Sequence, residues 1–204
     1  MIKLCILVSL SSCLFFLVGC GGVEEETNEE NMAYNSEGST FESSSEEEEE
    51  FEVGADAPEN LKKEDAPDFK TSLLDGNDFK LSAAKGKNVV VLDFWATWCG
   101  PCVKALPEVK AATDALKNKG VVLIAVNQGE SPGDIQRFLA KRNWNTLNVG
   151  LDPEGEIAKK FGVEGIPQTV IIDKDGVIRE VHVGYIPDMG KRLSQELMAI
   201  LASD

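Results

Sequence analysis

Asp93-Phe94-Trp95-Ala96-Thr97-Trp98-Cys99-Gly100-Pro101-Cys102 decides the fold of this chain. The run that leads into it, Asn88 to Trp95, is almost wholly apolar and β-branched, which predicts a buried strand. The run that follows it, Lys104 to Lys119, has Leu106, Val109 and Leu116 at helical spacing and predicts a helix. A Cys-x-x-Cys at such a junction places Cys99 at the helix N-terminus, where unpaired N–H groups and the helix dipole favour negative charge. Such a cysteine becomes a thiolate more readily than a free one and attacks as the nucleophile. Cys102 falls one turn further on, close enough to close a disulfide with it. The pattern implies thiol–disulfide exchange. Pro101 fits the first helical turn, whereas Pro107 lies further in and is expected to kink the helix.

Working outward, Phe69–Lys70 and Asp78–Leu81 predict a short hairpin about Asp75-Gly76-Asn77, with Ser82 capping a helical turn. Val121 to Val126 is a continuous apolar run, read as a parallel strand. Ser131-Pro132-Gly133-Asp134 opens a helix to Lys141, with Ile135, Phe138 and Leu139 on one face. A strand at Leu147–Leu151, a helix at Pro153–Phe161, a hairpin of Thr169–Asp173 with Val177–Val183, and a helix from Pro187 to Leu201 complete the pattern. The order predicts one α/β domain, a central mixed sheet flanked by helices, with an N-terminal β-hairpin and a central strand–helix insert.

The 204 residues carry a net charge of -15, but the charge is local. Residues 24–52 hold 13 Glu and no Lys or Arg, while residues 61–204 hold 20 acids against 19 Lys plus Arg. The folded part is near neutral and has no basic stripe, so nucleic acid is not an expected partner. Of five cysteines, only Cys99 and Cys102 fall in the globular region, which excludes a structural disulfide framework there. With His182 the only histidine, no metal site is expected.

Residues 1–19 read as an export signal: Lys3, an apolar run from Leu4 to Val18 too short for an ordinary span, then Leu17-Val18-Gly19-Cys20. That ending resembles the bacterial lipoprotein signal, which implies cleavage after Gly19, lipid on Cys20 and attachment to a membrane in the cell envelope. Residues 20–60, rich in Glu, Ser and Gly, carry too little apolar surface to fold and read as a disordered tether. The domain is expected over 61–204.

Three separated features resemble the thioredoxin fold. The Asp93–Cys102 segment is similar to the thioredoxin active-site segment, Gly165-Ile166-Pro167-Gln168-Thr169 to its cis-proline loop, and Ile172-Asp173-Lys174-Asp175-Gly176 with Gly184 to its closing hairpin. Ala66-Pro67-Asp68-Phe69 and the extra segment near 127–150 resemble the exported TlpA/ResA-like thiol–disulfide oxidoreductases. The likeness covers about residues 66–203. It implies a cis peptide at Ile166–Pro167 that presents backbone to substrate and keeps metal off the thiols. One departure stands out. The subfamily usually carries Glu three residues after the second cysteine, and this chain has Ala105.

Cys99 is expected to attack a substrate disulfide and Cys102 to resolve the mixed disulfide. Gly100 and Pro101 set the geometry of the thiolate, and Trp98 covers one side of the site. Asp93, an acid within Val, Leu, Phe and Trp, is expected to be desolvated, with a raised pKa, and to take the proton from Cys102. His182 reads as a surface strand residue and Trp144 as packing in the insert. The expected activity is a membrane-tethered, extracytoplasmic reductase of protein disulfides. It would act as a monomer, with the Cys99–Cys102 pair as its redox centre, no other cofactor, and electrons from a membrane donor. A disulfide oxidase or isomerase and a non-enzymatic binding lipoprotein are the competing readings. A peroxiredoxin-type peroxidase is disfavoured, because Leu92 and Ala96 stand where its Pro and Thr/Ser would be.

Overall fold

Runs of Val, Leu, Ile and aromatic residues, broken in β3 only by Asp93, build the centre of the domain. In the computed structural model, which describes residues 63–203, seven strands and five α-helices follow one another. They are β1 (Lys70–Ser72), β2 (Asp78–Lys80), α1 (Leu81–Ala84), β3 (Val89–Trp95), α2 (Gly100–Ala115), β4 (Val121–Gln128) and α3 (Pro132–Arg142). Then come β5 (Val149–Asp152), α4 (Glu156–Lys160), β6 (Gln168–Ile172), β7 (Ile178–Val183) and α5 (Met189–Ser203). The signal, Cys20, the acidic segment and residues 61–62 lie outside the described residues. Among the described residues no helix is long and apolar enough to cross a membrane.

The main sheet has the order β5-β4-β3-β6-β7. β3 lies at its centre, parallel to β4 and antiparallel to β6, so the sheet is mixed as expected. All seven residues of β3 are buried, because helices cover both faces of the sheet. One face carries Val89, Val91 and Trp95 against Leu106 and Val109 of α2, Ile135 and Leu139 of α3, and Leu193 and Leu197 of α5. The other carries Val90, Leu92 and Phe94 against Leu81 of α1, Ile157 of α4, and Phe69 and Phe161. Phe161 stacks edge-on against Phe69, with ring centroids 5.7 Å apart. β1 and β2 form a separate hairpin that covers the edge strand β5. Thr71 Oγ1 donates to the Leu151 carbonyl at 2.8 Å and accepts from the Leu151 N–H at 3.0 Å, replacing a strand partner with a hydroxyl.

Several elements differ from the sequence reading. α2 begins at Gly100 with Cys99 as N-cap and Pro101 in its first turn, as expected, but ends at Ala115 rather than Lys119; Lys117–Lys119 forms a 3-10 turn closed by Gly120 in the left-handed region. The helix runs through Pro107. Ser82 does not cap α1; its own N–H is taken by Asp68 Oδ1 at 2.9 Å. β5 starts at Val149, and α4 starts at Glu156 because the buried Asp152 carboxylate accepts from the N–H groups of Ile157 and Ala158 and holds Pro153–Gly155 as a turn. Trp144 packs edge-on against Phe138, as expected. His182 is the clearest correction. It is 1% exposed, not at the surface, because α5 lies over its face of β7 and supplies Glu196 Oε2 2.7 Å from Nε2.

Candidate active site

Cys99 is the N-cap of α2, with extended backbone, and its Sγ accepts from the Cys102 N–H at 3.2 Å. The two cysteines are joined as a disulfide, with Cα atoms 5.3 Å apart. The Cys99 carbonyl accepts the first helical hydrogen bond, from Val103 N–H at 3.0 Å. Any negative charge on Cys99 therefore sits on the free N–H groups of a 16-residue helix. Cys99 is 6% exposed and Cys102 fully buried, so an incoming group reaches Cys99 first. The Ile166–Pro167 peptide is cis, and the Ile166 carbonyl oxygen lies 3.8 Å from Cys99 Sγ. This brings the loop before β6 against the motif at the start of α2. Trp98 is 71% exposed and stands at the surface beside the disulfide instead of packing inward. Gly100, on the same exposed rim, would meet nothing within 4 Å if it carried a Cβ.

The segment before the motif is held by a residue that the sequence reading did not single out. Glu130 accepts from the Thr97 N–H at 2.7 Å with Oε2, and from the Thr97 hydroxyl with Oε1. Oε2 also accepts from Asn127 Nδ2 at 2.7 Å. One carboxylate thus ties the turn that presents Trp98 and Cys99 to the end of β4. Its sequence signal was the Gly129-Glu130-Ser131-Pro132 turn ahead of a capped helix, which reads equally well as an ordinary loop.

Asp93 lies on β3 between Val91 and Trp95, on the face whose core includes both cysteines. Three aspartates are buried in the described residues, and they differ in how their charge is met. Asp152 accepts two backbone N–H groups. Asp173 accepts the Val177 N–H and an Arg179 guanidinium N–H. Asp93 has only the Thr169 hydroxyl, 2.7 Å from Oδ1, while Oδ2 is buried with no partner. Burial pushes its pKa from 3.8 up to about 7, with the Thr169 bond pulling weakly the other way. The structure thus places a carboxyl with a pKa raised to about 7 on the face of the sheet whose core holds both cysteines.

A redox disulfide at a helix N-terminus, faced by a cis-proline loop on a mixed sheet, defines the class of thioredoxin-fold thiol–disulfide oxidoreductases. The chain belongs to the Redoxin family, whose sequence pattern it matches over residues 61–196, and within it to the TlpA/ResA-like oxidoreductases. It is 34% identical over 119 residues to the thiol-disulfide oxidoreductase ResA of Geobacillus thermodenitrificans, covering 58% of this chain and 67% of that one. A Chlorobium tepidum structure assigned as a thiol:disulfide interchange protein DsbE is 37% identical, with a TM-score of 0.62 over 69% of this chain and 97% of that one. A secreted Mycobacterium tuberculosis disulfide oxidoreductase, homologous to E. coli DsbE, is 26% identical, with a TM-score of 0.55 over 70% and 99%. The enzyme is a thiol–disulfide oxidoreductase.

Proposed function

We propose that this protein is an extracytoplasmic reductase of protein disulfides, tethered to a membrane through lipid on Cys20. The observation that carries the catalytic part is the position of Cys99: N-cap of α2, near the Ile166 carbonyl, and more open than Cys102. In the reduced enzyme Cys99 attacks a substrate disulfide. The Cys102 thiol then gives its proton to Asp93, and its thiolate attacks Cys99 Sγ and releases the reduced substrate. Trp98, Gly100, Pro101, Ile166 and Pro167 form the rim against which the substrate chain lies. The Gly-Pro pair between the cysteines supports the reducing direction, since reducing thioredoxins with a potential near about -270 mV carry that pair. A reductase in this compartment draws electrons from a membrane donor, and it needs no cofactor beyond its own disulfide. The lipoprotein-type ending at Cys20 and the similarity to a secreted Mycobacterium tuberculosis oxidoreductase support the location.

The test is a Cys102→Ser variant of the full chain expressed in its own envelope. It should accumulate mixed disulfides through Cys99 that dithiothreitol releases, and Cys99→Ser should accumulate none. Equal trapping by both variants, or by neither, defeats the assignment. Equilibration of the Cys99–Cys102 pair with glutathione buffers separates the directions. A potential near about -120 mV, that of a strong oxidant, would make the protein an oxidase instead.

A further inference from the structure

A single polar row crosses the sheet at the level of Asp93. Asp93 of β3 is paired in register with Thr169 of β6, and Thr169 with His182 of β7. Residues directly opposite in antiparallel strands share a face, with Cβ atoms about 4.5–5.5 Å apart. The three side chains therefore stand side by side on the face of the sheet that α2 and α5 cover. Asp93 is 1% exposed, Thr169 4% and His182 1%, so none of them meets solvent directly. At the far end, His182 Nε2 lies 2.7 Å from Glu196 Oε2, and Arg192 Nε donates to Glu196 Oε1 at 3.1 Å. The Glu196 side chain is 20% exposed and is where the row reaches water.

The hydrogen bonds give the row a direction. Burial alone would raise the Glu196 pKa, but the bonds from His182 and Arg192 outweigh it and hold the carboxyl below the usual range. Glu196 is therefore an acceptor, and the hydrogen of the 2.7 Å bond belongs to Nε2. Nδ1 is left buried with no partner. A buried nitrogen without a partner is costly unless a state of the protein uses it. The neighbour across the strands, the Thr169 hydroxyl, points its hydrogen at Asp93 Oδ1. A proton on Asp93 Oδ1 reverses that bond: the carboxyl then donates to Thr169 Oγ1, and the hydroxyl hydrogen is free to turn to another acceptor. His182, the register partner of Thr169 on β7, carries in Nδ1 an acceptor with no partner of its own.

We propose that His182 and Thr169 form the exit for the proton that disulfide resolution leaves on Asp93. This rests on the reading of Asp93 as the base for Cys102. In that step the Cys102 proton goes to Asp93. The Cys102 thiolate forms the Cys99–Cys102 bond, and the bond from Cys99 to the substrate sulfur breaks, with its electron pair leaving on the substrate. The cysteine pair is oxidised by two electrons, the substrate disulfide is reduced by two, and one proton stays on Asp93. Asp93 passes it to Thr169 Oγ1 as the hydroxyl hydrogen moves to His182 Nδ1, and the imidazole releases its Nε2 hydrogen towards Glu196 and water. The titratable and charged groups about the row are Asp93, His182, Glu196 and Arg192, with the cysteine pair on the α2 side; β4 places only Ala125 opposite Asp93.

The experiment is a pH jump on the oxidised protein across neutrality, following the infrared C=O band of the protonated Asp93 carboxyl, identified by its loss in Asp93→Asn. His182→Gln keeps a hydrogen bond to Glu196 but cannot carry a proton. It should lose the band roughly a hundredfold more slowly than wild type, the low end of what a positioned proton carrier contributes. Thr169→Val should be similarly slow, while Thr169→Ser, which keeps the hydroxyl, should restore the fast phase. A general loosening of the core would speed exchange in these variants, not slow it. Wild-type kinetics in either His182→Gln or Thr169→Val overturns the proposal. If His182→Gln does not fold, the Thr169→Val and Thr169→Ser pair decides it alone. The underlying reading fails separately: Asp93→Asn would then resolve mixed disulfides at the wild-type rate.

Discussion

Replacing Asp93 by Asn should reshape the pH dependence of stability, and the size of the effect follows from the site. Burial raises the Asp93 pKa in the folded, oxidised protein from 3.8 to about 7. Between these values the folded state holds a proton that the unfolded chain has lost, so stability falls as pH rises, by about 1.4 kcal/mol per unit. Over the roughly three units of the shift the loss reaches about 4 kcal/mol, present in full above pH 7 and absent below the unfolded pKa. Asn fills the same space, and its carbonyl can accept the Thr169 hydroxyl, but it does not titrate. Its NH₂ group is left buried without a partner at a cost of about 1–3 kcal/mol that does not vary with pH. The slope of the difference between the two proteins is therefore the observable, rather than its level. Guanidinium unfolding of oxidised wild type and Asp93→Asn, at steps from pH 4 to pH 8.5, should give a difference that moves in favour of Asn by about 4 kcal/mol across the range. Groups common to both proteins cancel. Two stability curves that run parallel would refute the argument, because Asp93 would then have the same pKa folded and unfolded.

Two further outcomes follow from the rim of the site. Glu130→Ala removes the acceptor of the Thr97 N–H, the Thr97 hydroxyl and Asn127 Nδ2, and should cost about 2–3 kcal/mol in denaturant unfolding. It should also slow attack on a small aryl disulfide, since the turn carrying Cys99 loses its anchor. Trp98→Ala touches a side chain that is 71% exposed, so stability should change by less than about 0.5 kcal/mol. KM for a protein disulfide should rise in that variant while the rate with the aryl disulfide holds, and equal losses with both substrates would remove Trp98 from the substrate rim.

The parts of this domain that were legible in the sequence are those specified by local chemistry. β3 and β4 announced themselves as unbroken apolar runs because both of their faces are covered, and α2 by a capped start with Pro101 in its first turn. Asp93 was legible for the same reason: a single acid in such a run has nowhere to go but the core. Glu130 was not, because its three hydrogen bonds depend on β4 ending beside the turn at Thr97, 33 residues away in sequence. His182 was misread as a surface residue because a polar side chain on a late strand gives no sign that a helix will cover it. α5 covers its face of β7, and a register shift at Ile171/Ile172 breaks the simple period of the hairpin as well. Helix starts shifted where a buried carboxylate intervened, as with Asp152 at α4, since capping across a turn leaves no periodic signal.

The three buried aspartates make the closing argument about what Asp93 is for. Asp152 and Asp173 each offset their burial with two donors and shape a turn, so structure accounts for them. Asp93 has one donor, shapes no turn, and leaves an oxygen orphaned. Its charged form burdens the fold by about 4 kcal/mol, against a total stability of about 5–15 kcal/mol for an ordinary domain. Asn would fit the same position without that charge. What Asn cannot do is take up and release a proton near neutrality. α2 offers no substitute, since Ala105, the place of the subfamily's usual acid, is an apolar core position 4% exposed. The acid on this face of the sheet comes instead from the strand, where register sets Asp93 beside Thr169 and Thr169 beside His182, which meets Glu196.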